Sequence, residues 1–282
     1  MNGGKKSLLM LIGAGAGALL AARALKRRGS LYDMRGRVVL ITGGSRGLGL
    51  VMARELAREG ARLAICARDE QELIRAHDDL TSRGAEVIAV PCDVTDRAQV
   101  EAMTESVEDR FGRIDVLINN AGVIEVGPMD VMTLGDYEEA MSTHFWGPLY
   151  TTLAALPGMR RRGEGRIVNI SSIGGKISVP HLLPYSASKF ALTGFSEGLR
   201  AELAGDGIVV TTVCPGLMRT GSPYNATFKG QHRREFAWFL ISDSLPIIST
   251  SAESAARQII DACKRGDAEV VLTVPARLAA LF

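Results

Sequence analysis

The stretch 38-VVLITGGSRGLG-49 decides the fold of this chain. It begins with an apolar run of strand length. Its last residues begin a helix-forming stretch, Leu48 to Glu59. Glycines between the two permit a tight turn and let backbone amides and the helix N-terminus approach a pyrophosphate. A simple strand-to-helix turn does not need so many glycines beside a threonine and a serine, so we predict a phosphate-binding loop. The candidate binding residues are Thr42, Gly43, Ser45, Arg46, Gly47, Leu48 and Gly49.

Outward from this loop, short apolar runs alternate with helical stretches. Such alternation is typical of buried parallel strands joined by crossover helices. We predict an α/β fold over residues 31–282: one domain with a Rossmann-like doubly wound parallel sheet, binding ligands at the carboxyl ends of its strands. The expected strands are Val38 to Thr42, Leu63 to Ala67, Val87 to Val90, Val116 to Asn119, Ile167 to Ile170 and Val209 to Cys214, and the expected helices include Leu48 to Glu59, Glu70 to Arg83 and Arg97 to Phe111.

Composition narrows the function classes. A length of 282 residues suits one large α/β domain, and 46% apolar with 23% charged residues indicates a globular core. The net charge of +2 gives no reason to expect nucleic-acid binding. The cysteines have no C-x-x-C spacing and the histidines have no H-x-x-x-H spacing, so we predict neither a metal site nor a disulfide framework. The same cysteine usage predicts a reducing compartment.

Residues 1–30 differ from the rest of the chain. Ser7 to Ala22 carries no charge, with Lys5 and Lys6 before it and Lys26 to Arg28 after it. One interpretation is a cleaved secretory peptide, because the length of the apolar run suits it. The other is a helix that spans a membrane, which needs roughly 17 to 25 apolar residues. Basic residues are denser after the segment, which favours a cytoplasmic catalytic domain. We predict an uncleaved, hydrophobic N-terminal helix that anchors the protein to a membrane.

A tyrosine and a lysine lie four residues apart in the run 184-PYSASK-189. On a helix such residues share a face, so the phenol of Tyr185 and the ammonium of Lys189 can address one small volume. A phenol titrates at about 10 in water, and a nearby cation favours phenolate. We therefore expect the pKa of Tyr185 to be lowered, as suits a general acid or base. A bare Y-x-x-x-K pair is common by chance, but the upstream phosphate-binding loop favours a catalytic pair.

The second predicted strand ends in Ala67-Arg68 rather than in a carboxylate. An acidic residue there would accept a hydrogen bond from a ribose 2′-hydroxyl, whereas Arg68 and Arg46 can pair with a 2′-phosphate. This favours NADP(H) over NAD(H). In the alternative, both arginines are solvated and Asp69 turns inward to the ribose.

The order of these motifs resembles the classical short-chain dehydrogenases/reductases. The resemblance covers about Arg37 to Val274 and implies hydride transfer between a ketone or aldehyde and an alcohol, with a nicotinamide cofactor. It also implies a homodimer or homotetramer formed through the Tyr137 to Arg160 and Ser186 to Leu203 helices. The motifs that carry it are the T-G-x-x-x-G-x-G loop, 119-NNAG-122, Ser172, the Tyr185/Lys189 pair and Pro215-Gly216.

Family resemblance assigns roles to individual residues. It implies that Tyr185 donates a proton to the substrate carbonyl oxygen, that Ser172 polarises this oxygen, and that Lys189 binds the nicotinamide ribose. Ser172 is preferred to Ser171 because it lies thirteen residues before the tyrosine, at the end of a predicted strand. Along the cofactor the resemblance places Gly43, Ser45, Arg46, Gly47, Leu48, Asp93, Val94, Asn120, Ala121, Gly122, Pro215, Gly216, Met218 and Thr220.

One position departs from the family pattern. The family usually has asparagine where this chain has His144, in the helix behind Lys189. The family's asparagine helps to position a water on the lysine, and an imidazole can take that role because it both donates and accepts hydrogen bonds. His144 is therefore a catalytic candidate. In the alternative it is a packed histidine that leaves the relay incomplete, and the protein is a membrane-tethered NADP(H)-binding sensor or scaffold.

Residues 217–250 form the predicted substrate loop. Five of the chain's fifteen aromatic residues lie in one run of sixteen positions inside this loop. This concentration predicts a hydrophobic lid over a lipophilic ketone, aldehyde or alcohol. In the alternative, the rings only pack the loop onto the core. The five candidate substrate residues are Tyr224, Phe228, Phe236, Trp238 and Phe239.

Overall fold

The computed structural model describes residues 31–219, 226–230, 249–273 and 276. The predicted N-terminal anchor, residues 1–30, therefore lies outside the described residues, as do five of the candidate site residues. Within the described ranges, no helix has the length and apolar character needed to cross a membrane. The five undescribed candidates are Thr220, Tyr224, Phe236, Trp238 and Phe239.

Seven parallel strands form the central sheet, in the order β11-β7-β6-β4-β1-β2-β3. The six predicted strands are all present, and their observed ends lie within two residues of the predicted ones. The short edge strand β11 was not predicted. In chain order the described strands are β1 (Val38–Thr42), β2 (Arg62–Ala67), β3 (Val87–Pro91), β4 (Val116–Asn119), β5 (Glu125–Val126), β6 (Gly165–Ile170), β7 (Ile208–Cys214), β8 (Met218–Arg219), β9 (Thr227–Phe228), β10 (Thr250–Ser251) and β11 (Glu269–Val271).

Helices connect the strands, and side-chain caps fix where several of them begin. Asp69 accepts a hydrogen bond from the amide of Glu72, and Asp96 accepts from the amides of Ala98 and Gln99. The described α-helices are α1 (Gly47–Arg58), α2 (Glu70–Ser82), α3 (Arg97–Phe111), α4 (Leu134–Met141), α5 (Gly147–Arg162), α6 (Leu183–Leu203) and α7 (Ala252–Arg265), with a π-helical turn, Ser142–Trp146, between α4 and α5.

The sheet is buried on both faces. Successive side chains of a strand point to opposite faces, and Val38 to Ile41 are all 0% exposed. Val38 and Leu40 pack in one core cluster with side chains of α3 and α5, while α1 and α7 pack against each other. Burial on both faces is typical of parallel sheets. It leaves the ends of the strands as the places where a ligand can reach them.

The strand order reverses between β1 and β4. From β1 the chain runs outward through β2 to β3, then returns through α3 to β4 on the other side of β1. In open α/β sheets, ligands bind in the crevice at such a reversal, outside the carboxyl ends of the strands. From Met34 onward the chain forms one compact unit, which confirms the single α/β domain for this part.

A chain of hydrogen bonds between buried polar side chains crosses the sheet near these carboxyl ends. Thr151 on α5 donates to Asn119 (2.6 Å), and Asn119 donates to Asn169 (2.9 Å). Asn169 and Thr212 both donate to Ser196 on α6, at 3.0 and 2.7 Å. Asn119, Asn169 and Thr212 are also register partners on β4, β6 and β7. Each of these buried groups thus finds a partner, as burial requires.

Candidate active site

A cavity of about 480 Å³ lies at the carboxyl ends of β1, β4 and β6. Ligand sites have volumes of this order. The cavity brings together most of the residues that the sequence singled out, although they come from widely separated parts of the chain. Of the predicted residues, its walls contain Gly43, Ser45, Arg46, Gly47, Leu48, Arg68, Asp93, Val94, Asn120, Ala121, Gly122, His144, Ser172, Tyr185, Lys189, Pro215, Gly216 and Met218.

The glycine loop is folded so tightly that side chains would not fit in it. Gly43 and Gly47 have φ angles of +64° and +54°, a region that favours glycine. A Cβ at Gly49 would lie 2.1 Å from the carbonyl oxygen of Gly43 and 2.7 Å from the side-chain nitrogen of Asn120. Gly49 does not line the cavity. It supports the loop from behind.

Thr42 also lies behind the loop rather than in the cavity wall. Its hydroxyl oxygen accepts hydrogen bonds from the amides of Asn120 (3.0 Å) and Ala121 (3.1 Å). In return, the Asn120 side chain donates to the carbonyl oxygens of Thr42 and Gly43, at 3.0 and 3.1 Å. The loops that follow β1 and β4 are therefore held together as one wall of the site.

The N-terminus of α1 opens on the glycine loop. Its cap residue, Arg46, has an extended backbone, and within the described part of the chain no side chain caps this helix. The first amides of a helix carry partial positive charge and lack acceptors within the helix. They are therefore suited to receive phosphate oxygens.

Acidic and basic side chains meet at the far end of the cavity, beyond β2. Arg68 is exposed there, and the Nη1 of Arg46 donates to Glu72 at 2.8 Å. Asp69 also lines the cavity, and its Oδ1 accepts a hydrogen bond from the amide of Glu72 at 2.8 Å, which caps α2. The sequence reasoning missed Glu72. Its only signal was an acidic residue in the first turn of the helix after β2.

The tyrosine, serine and lysine converge at the opposite end of the cavity. Ser172 follows β6, and its hydroxyl is hydrogen-bonded to the phenol of Tyr185. The Nζ of Lys189 lies 5.7 Å from the centre of the Tyr185 ring and donates to the carbonyl oxygen of Ile170 at 2.8 Å. The neighbouring Ser171 hydroxyl bonds the Thr193 hydroxyl (2.8 Å) instead. Both serines line the cavity, and the Ser171 hydroxyl is also hydrogen-bonded to the carbonyl oxygen of Lys189.

Burial controls the protonation of this pair. It lowers the pKa of Lys189 to about 7. It raises the pKa of Tyr185 above its ordinary value, although the hydrogen bond from Ser172 acts in the opposite direction. The expectation of a lowered tyrosine pKa was therefore wrong for the protein without a ligand. The lysine Nζ bonds a backbone carbonyl rather than the phenol, and loss of solvation is the largest influence on the tyrosine pKa.

His144 is buried, and both its ring nitrogens are engaged. Nε2 accepts from the amide of Val123 (3.1 Å), and Nδ1 lies 2.8 Å from the Ser188 hydroxyl, which donates to the carbonyl oxygen of Tyr185 (2.8 Å). The network assigns the proton to Nδ1, and burial holds the pKa of His144 well below its usual value. Neither nitrogen is left to hold a water on Lys189. The ring instead packs edge-on against Tyr185, with 5.4 Å between centres.

Phe228 is the one substrate candidate among the described residues. It does not line the cavity. Its strand, β9, pairs with β5, and its ring packs with a small apolar cluster that includes Val126, Leu182 and Tyr185. The cluster lies beside the tyrosine end of the site, so Phe228 supports that end from outside the wall.

One residue of this strand pair is a buried carboxylate. Glu125 is 4% exposed, and its Oε2 has no hydrogen-bond partner among the described residues. Asp136 and Glu139 of α4 and Lys229 after β9 face it, and Lys229 Nζ bonds both oxygens of Asp136 at 2.6 Å. Burial, with the two neighbouring carboxylates, raises the pKa of Glu125 to about 7. The sequence reasoning did not single out this residue.

Replacement of Glu125 by glutamine is expected to stabilise the protein at alkaline pH. The folded protein keeps the Glu125 proton up to about pH 7, whereas the unfolded chain loses it near 4.5. Stability therefore falls as the pH rises between these values, by about 3 kcal/mol. The glutamine variant lacks this loss, so its advantage is present above pH 7 and absent below pH 4. Guanidinium unfolding at acidic and alkaline pH measures it.

The matched control is Glu138→Gln on α4, an exposed position. It removes the same charge without removing the buried carboxylate. Equal stability of the Glu125→Gln variant and the wild type at alkaline pH would contradict the prediction.

Comparisons with known proteins agree with the geometry. The family described as short chain dehydrogenase matches residues 37–227. The ketoacyl reductase HetN from Nostoc sp. is 38% identical over 186 residues, which cover 66% of this chain and 65% of HetN. Dehydrogenase/reductase SDR family protein 7-like from Anopheles gambiae is 35% identical over 264 residues, covering 92% of this chain and 81% of that protein.

Solved structures share the fold along nearly the whole chain. A short chain dehydrogenase/reductase from Burkholderia phymatum, in complex with NAD, has a TM-score of 0.82 at 27% identity and covers 89% of this chain and 93% of its own. A gluconate 5-dehydrogenase from Burkholderia cenocepacia, in complex with NADP and tartrate, has a TM-score of 0.76 at 27% identity, covering 87% and 98%. The family match, the shared fold and the order of the site residues along the sequence together show that the chain belongs to the short-chain dehydrogenases.

Proposed function

We propose that the protein is an NADP(H)-dependent oxidoreductase that interconverts a lipophilic ketone or aldehyde and the corresponding alcohol. The observation that carries the proposal is the convergence of Ser172, Tyr185 and Lys189 at one end of a single cavity. A phosphate-binding loop forms the other end. A cofactor bound along the cavity would reach from one to the other.

The residues present suit a dinucleotide. The amides at the start of α1 have no side-chain cap among the described residues, and the positions at which glycine is required bring the backbone close enough to contact a pyrophosphate. Asp93, Val94 and Met218 line the cavity. The family resemblance assigns the first two to the adenine and Met218 to the nicotinamide. When bound, the reduced nicotinamide supplies the hydride.

Tyr185 is suited to supply the proton. Its raised pKa keeps the phenol neutral near neutral pH, which is the form that can donate to a developing alkoxide. Ser172 is hydrogen-bonded to that phenol and can stabilise the same substrate oxygen. Burial lowers the pKa of Lys189 to about 7, and its Nζ lies over the tyrosine ring, so it can change its charge state beside the phenol near neutral pH. Together these groups complete a ketone reduction.

Cofactor preference rests on two arginines. Arg46 and Arg68 both line the end of the cavity beyond β2, and Asp69 is engaged as a helix cap. Guanidinium groups recognise phosphate by charge and by paired hydrogen bonds. This supports NADP(H) over NAD(H). Among the structures similar to this chain, one holds NADP and another NAD, so the fold admits either.

Apolar residues support a lipophilic substrate. Val123 and Ile124 line the cavity near Tyr185, and the cluster of Val126, Leu182 and Phe228 backs that end. Pockets for small molecules combine such apolar walls with a few polar groups.

The test mixes purified protein with NADPH or NADH and a panel of lipophilic ketones and aldehydes, following the nicotinamide absorbance. Substrate-dependent loss of NADPH absorbance, absent in the Tyr185→Phe variant, is the expected result. If NADPH binds but no member of a broad panel is reduced, a sensor or scaffold becomes the better description.

We further propose that residues 1–30 hold the protein at a membrane with the catalytic domain in the cytoplasm. The proposal is supported by the uncharged run between basic clusters in that segment. Full-length protein is expected to float with liposomes in a density gradient, whereas a chain beginning at Leu31 stays at the bottom. Equal flotation of both would overturn it.

We also propose a homodimer or homotetramer. Trp146, Leu153 and Phe190 are 44 to 55% exposed on or beside α5 and α6, the two helices that the family resemblance expects at the contact. Exposed apolar side chains of this size favour association. Light scattering of the purified chain measures the mass; a monomer at working concentration would contradict the assembly.

A further inference from the structure

Glu72 accepts hydrogen bonds from two side chains of the glycine loop. Its Oε1 accepts from the Nη1 of Arg46 at 2.8 Å, and its Oε2 accepts from the hydroxyl of Ser45 at 3.1 Å. Glu72 lines the cavity beside Arg68 and Asp69, at the end beyond β2. One carboxylate thus bridges the two polar side chains of the loop that face this end.

Glu72 is held in place by the start of α2. The Asp69 carboxylate caps the helix through the amide of Glu72 itself, at 2.8 Å. The residue therefore lies in the first turn, where the helix dipole stabilises a negative charge. Its side chain is 21% exposed, compared with 55% for that of Arg46. The carboxylate is the more rigidly placed partner of the pair.

A bound 2′-phosphate would need the same donors. Arg46 and Ser45 are the guanidinium and hydroxyl of the loop at this end of the cavity, and Glu72 uses both. A carboxylate and a phosphate that share these donors repel each other, so binding of the phosphate requires the carboxylate to give up its hydrogen bonds.

We infer that Glu72 sets cofactor selectivity by competing with the 2′-phosphate of NADP(H) for Arg46 and Ser45. This inference rests on the proposed use of NADP(H). Glu72 weakens NADP(H) binding relative to what the arginines alone would give, and it leaves NAD(H), which has no 2′-phosphate, nearly unaffected. Glu72 therefore reduces the preference for NADP(H) over NAD(H), and it does so without contacting the reacting atoms.

The test measures the Kd of NADPH and of NADH for the full-length chain by nicotinamide fluorescence. Glu72→Gln keeps the size of the side chain and removes its charge. NADPH binding is expected to tighten about fivefold or more, with NADH changing less than about twofold. In an Arg46→Ala background, the same substitution should tighten NADPH binding much less, because the main donor for which the carboxylate and the 2′-phosphate compete has been removed.

Glu70→Gln is the matched control. It removes an exposed carboxylate from the same first turn of α2, without a hydrogen bond to Arg46 or Ser45 among the described residues. It reports the general effect of negative charge near the site. An equal gain in NADPH affinity from Glu70→Gln would assign the effect to that general charge and overturn the competition.

The remaining outcomes separate this inference from the proposed function. If Arg46→Ala weakens NADPH but Glu72→Gln leaves its affinity unchanged, the inference fails and the NADP(H) preference stands. If Glu72→Gln selectively weakens NADH, the carboxylate binds the ribose 2′-hydroxyl and the inference is overturned. If neither Arg46→Ala nor Arg68→Ala changes NADPH affinity, the preference itself fails and the inference with it.

Discussion

Replacement of Tyr185 by phenylalanine is expected to lower kcat for carbonyl reduction by a factor of about 10² to 10⁴. The variant loses only the hydroxyl that lies against Ser172. The ring still packs edge-on against His144 and under the Lys189 Nζ, so the wall of the cavity keeps its shape. NADPH should therefore bind to the variant with a Kd within about twofold of the wild-type value, since one hydroxyl contributes little to a large ligand.

Two measurements made on the same preparation decide this prediction. Steady-state rates with the best ketone of the panel give kcat, and fluorescence titration gives the Kd of NADPH. Tyr150→Phe removes a phenolic hydroxyl from α5 and serves as the control with unchanged rates. A Tyr185→Phe variant that keeps a tenth or more of the wild-type kcat would exclude Tyr185 as the proton donor.

Replacement of Gly49 by alanine is expected to abolish cofactor binding and to destabilise the fold. The added Cβ would lie 2.1 Å from the carbonyl oxygen of Gly43, a backbone atom that cannot turn aside as a side-chain end can. The glycine loop must shift, and with it the amides at the start of α1. Overpacking of this kind costs about 1 to 3 kcal/mol, and more where backbone must move. We expect at least a 100-fold rise in the Kd of NADPH.

Gly135→Ala gives the control for this substitution. Gly135 lies in the first turn of α4, where the nearest atom to an added Cβ is the Thr133 hydroxyl at 3.7 Å, an ordinary contact. The control should bind NADPH as the wild type does. Guanidinium unfolding and NADPH titration of both variants test the pair, and tight NADPH binding by Gly49→Ala would show that the loop tolerates a side chain there.

Local patterns predicted the parts of the site that depend on neighbours in sequence. The spacing of Tyr185 and Lys189, and the glycines between β1 and α1, express helix and turn geometry directly, so the sequence was a sufficient guide. The strands were predicted because burial on both faces makes each of them a continuous apolar run. The edge strand β11 was missed because its three residues, which begin with a glutamate, form too short an apolar run.

Contacts between distant residues were beyond these patterns. Glu72 reaches Ser45 and Arg46 across two elements of structure, and nothing in its own neighbourhood announces the contact. The partners of His144 depend on the π-helical turn that turns its ring toward Val123 and Ser188. The direction of the Tyr185 pKa shift was wrong because sequence spacing shows which charge is near but not how much water has been removed.

The buried hydrogen-bond chain has a consequence for the choice of strand partners as the protein folds. Asn119, Asn169 and Thr212 share one register across β4, β6 and β7. A slip of one residue would turn these side chains to the opposite face of the sheet, away from Thr151 and Ser196, and leave amides and hydroxyls buried without partners. Apolar side chains alone would tolerate such a slip more easily. The polar row therefore makes a sheet with a shifted strand less stable than the native register.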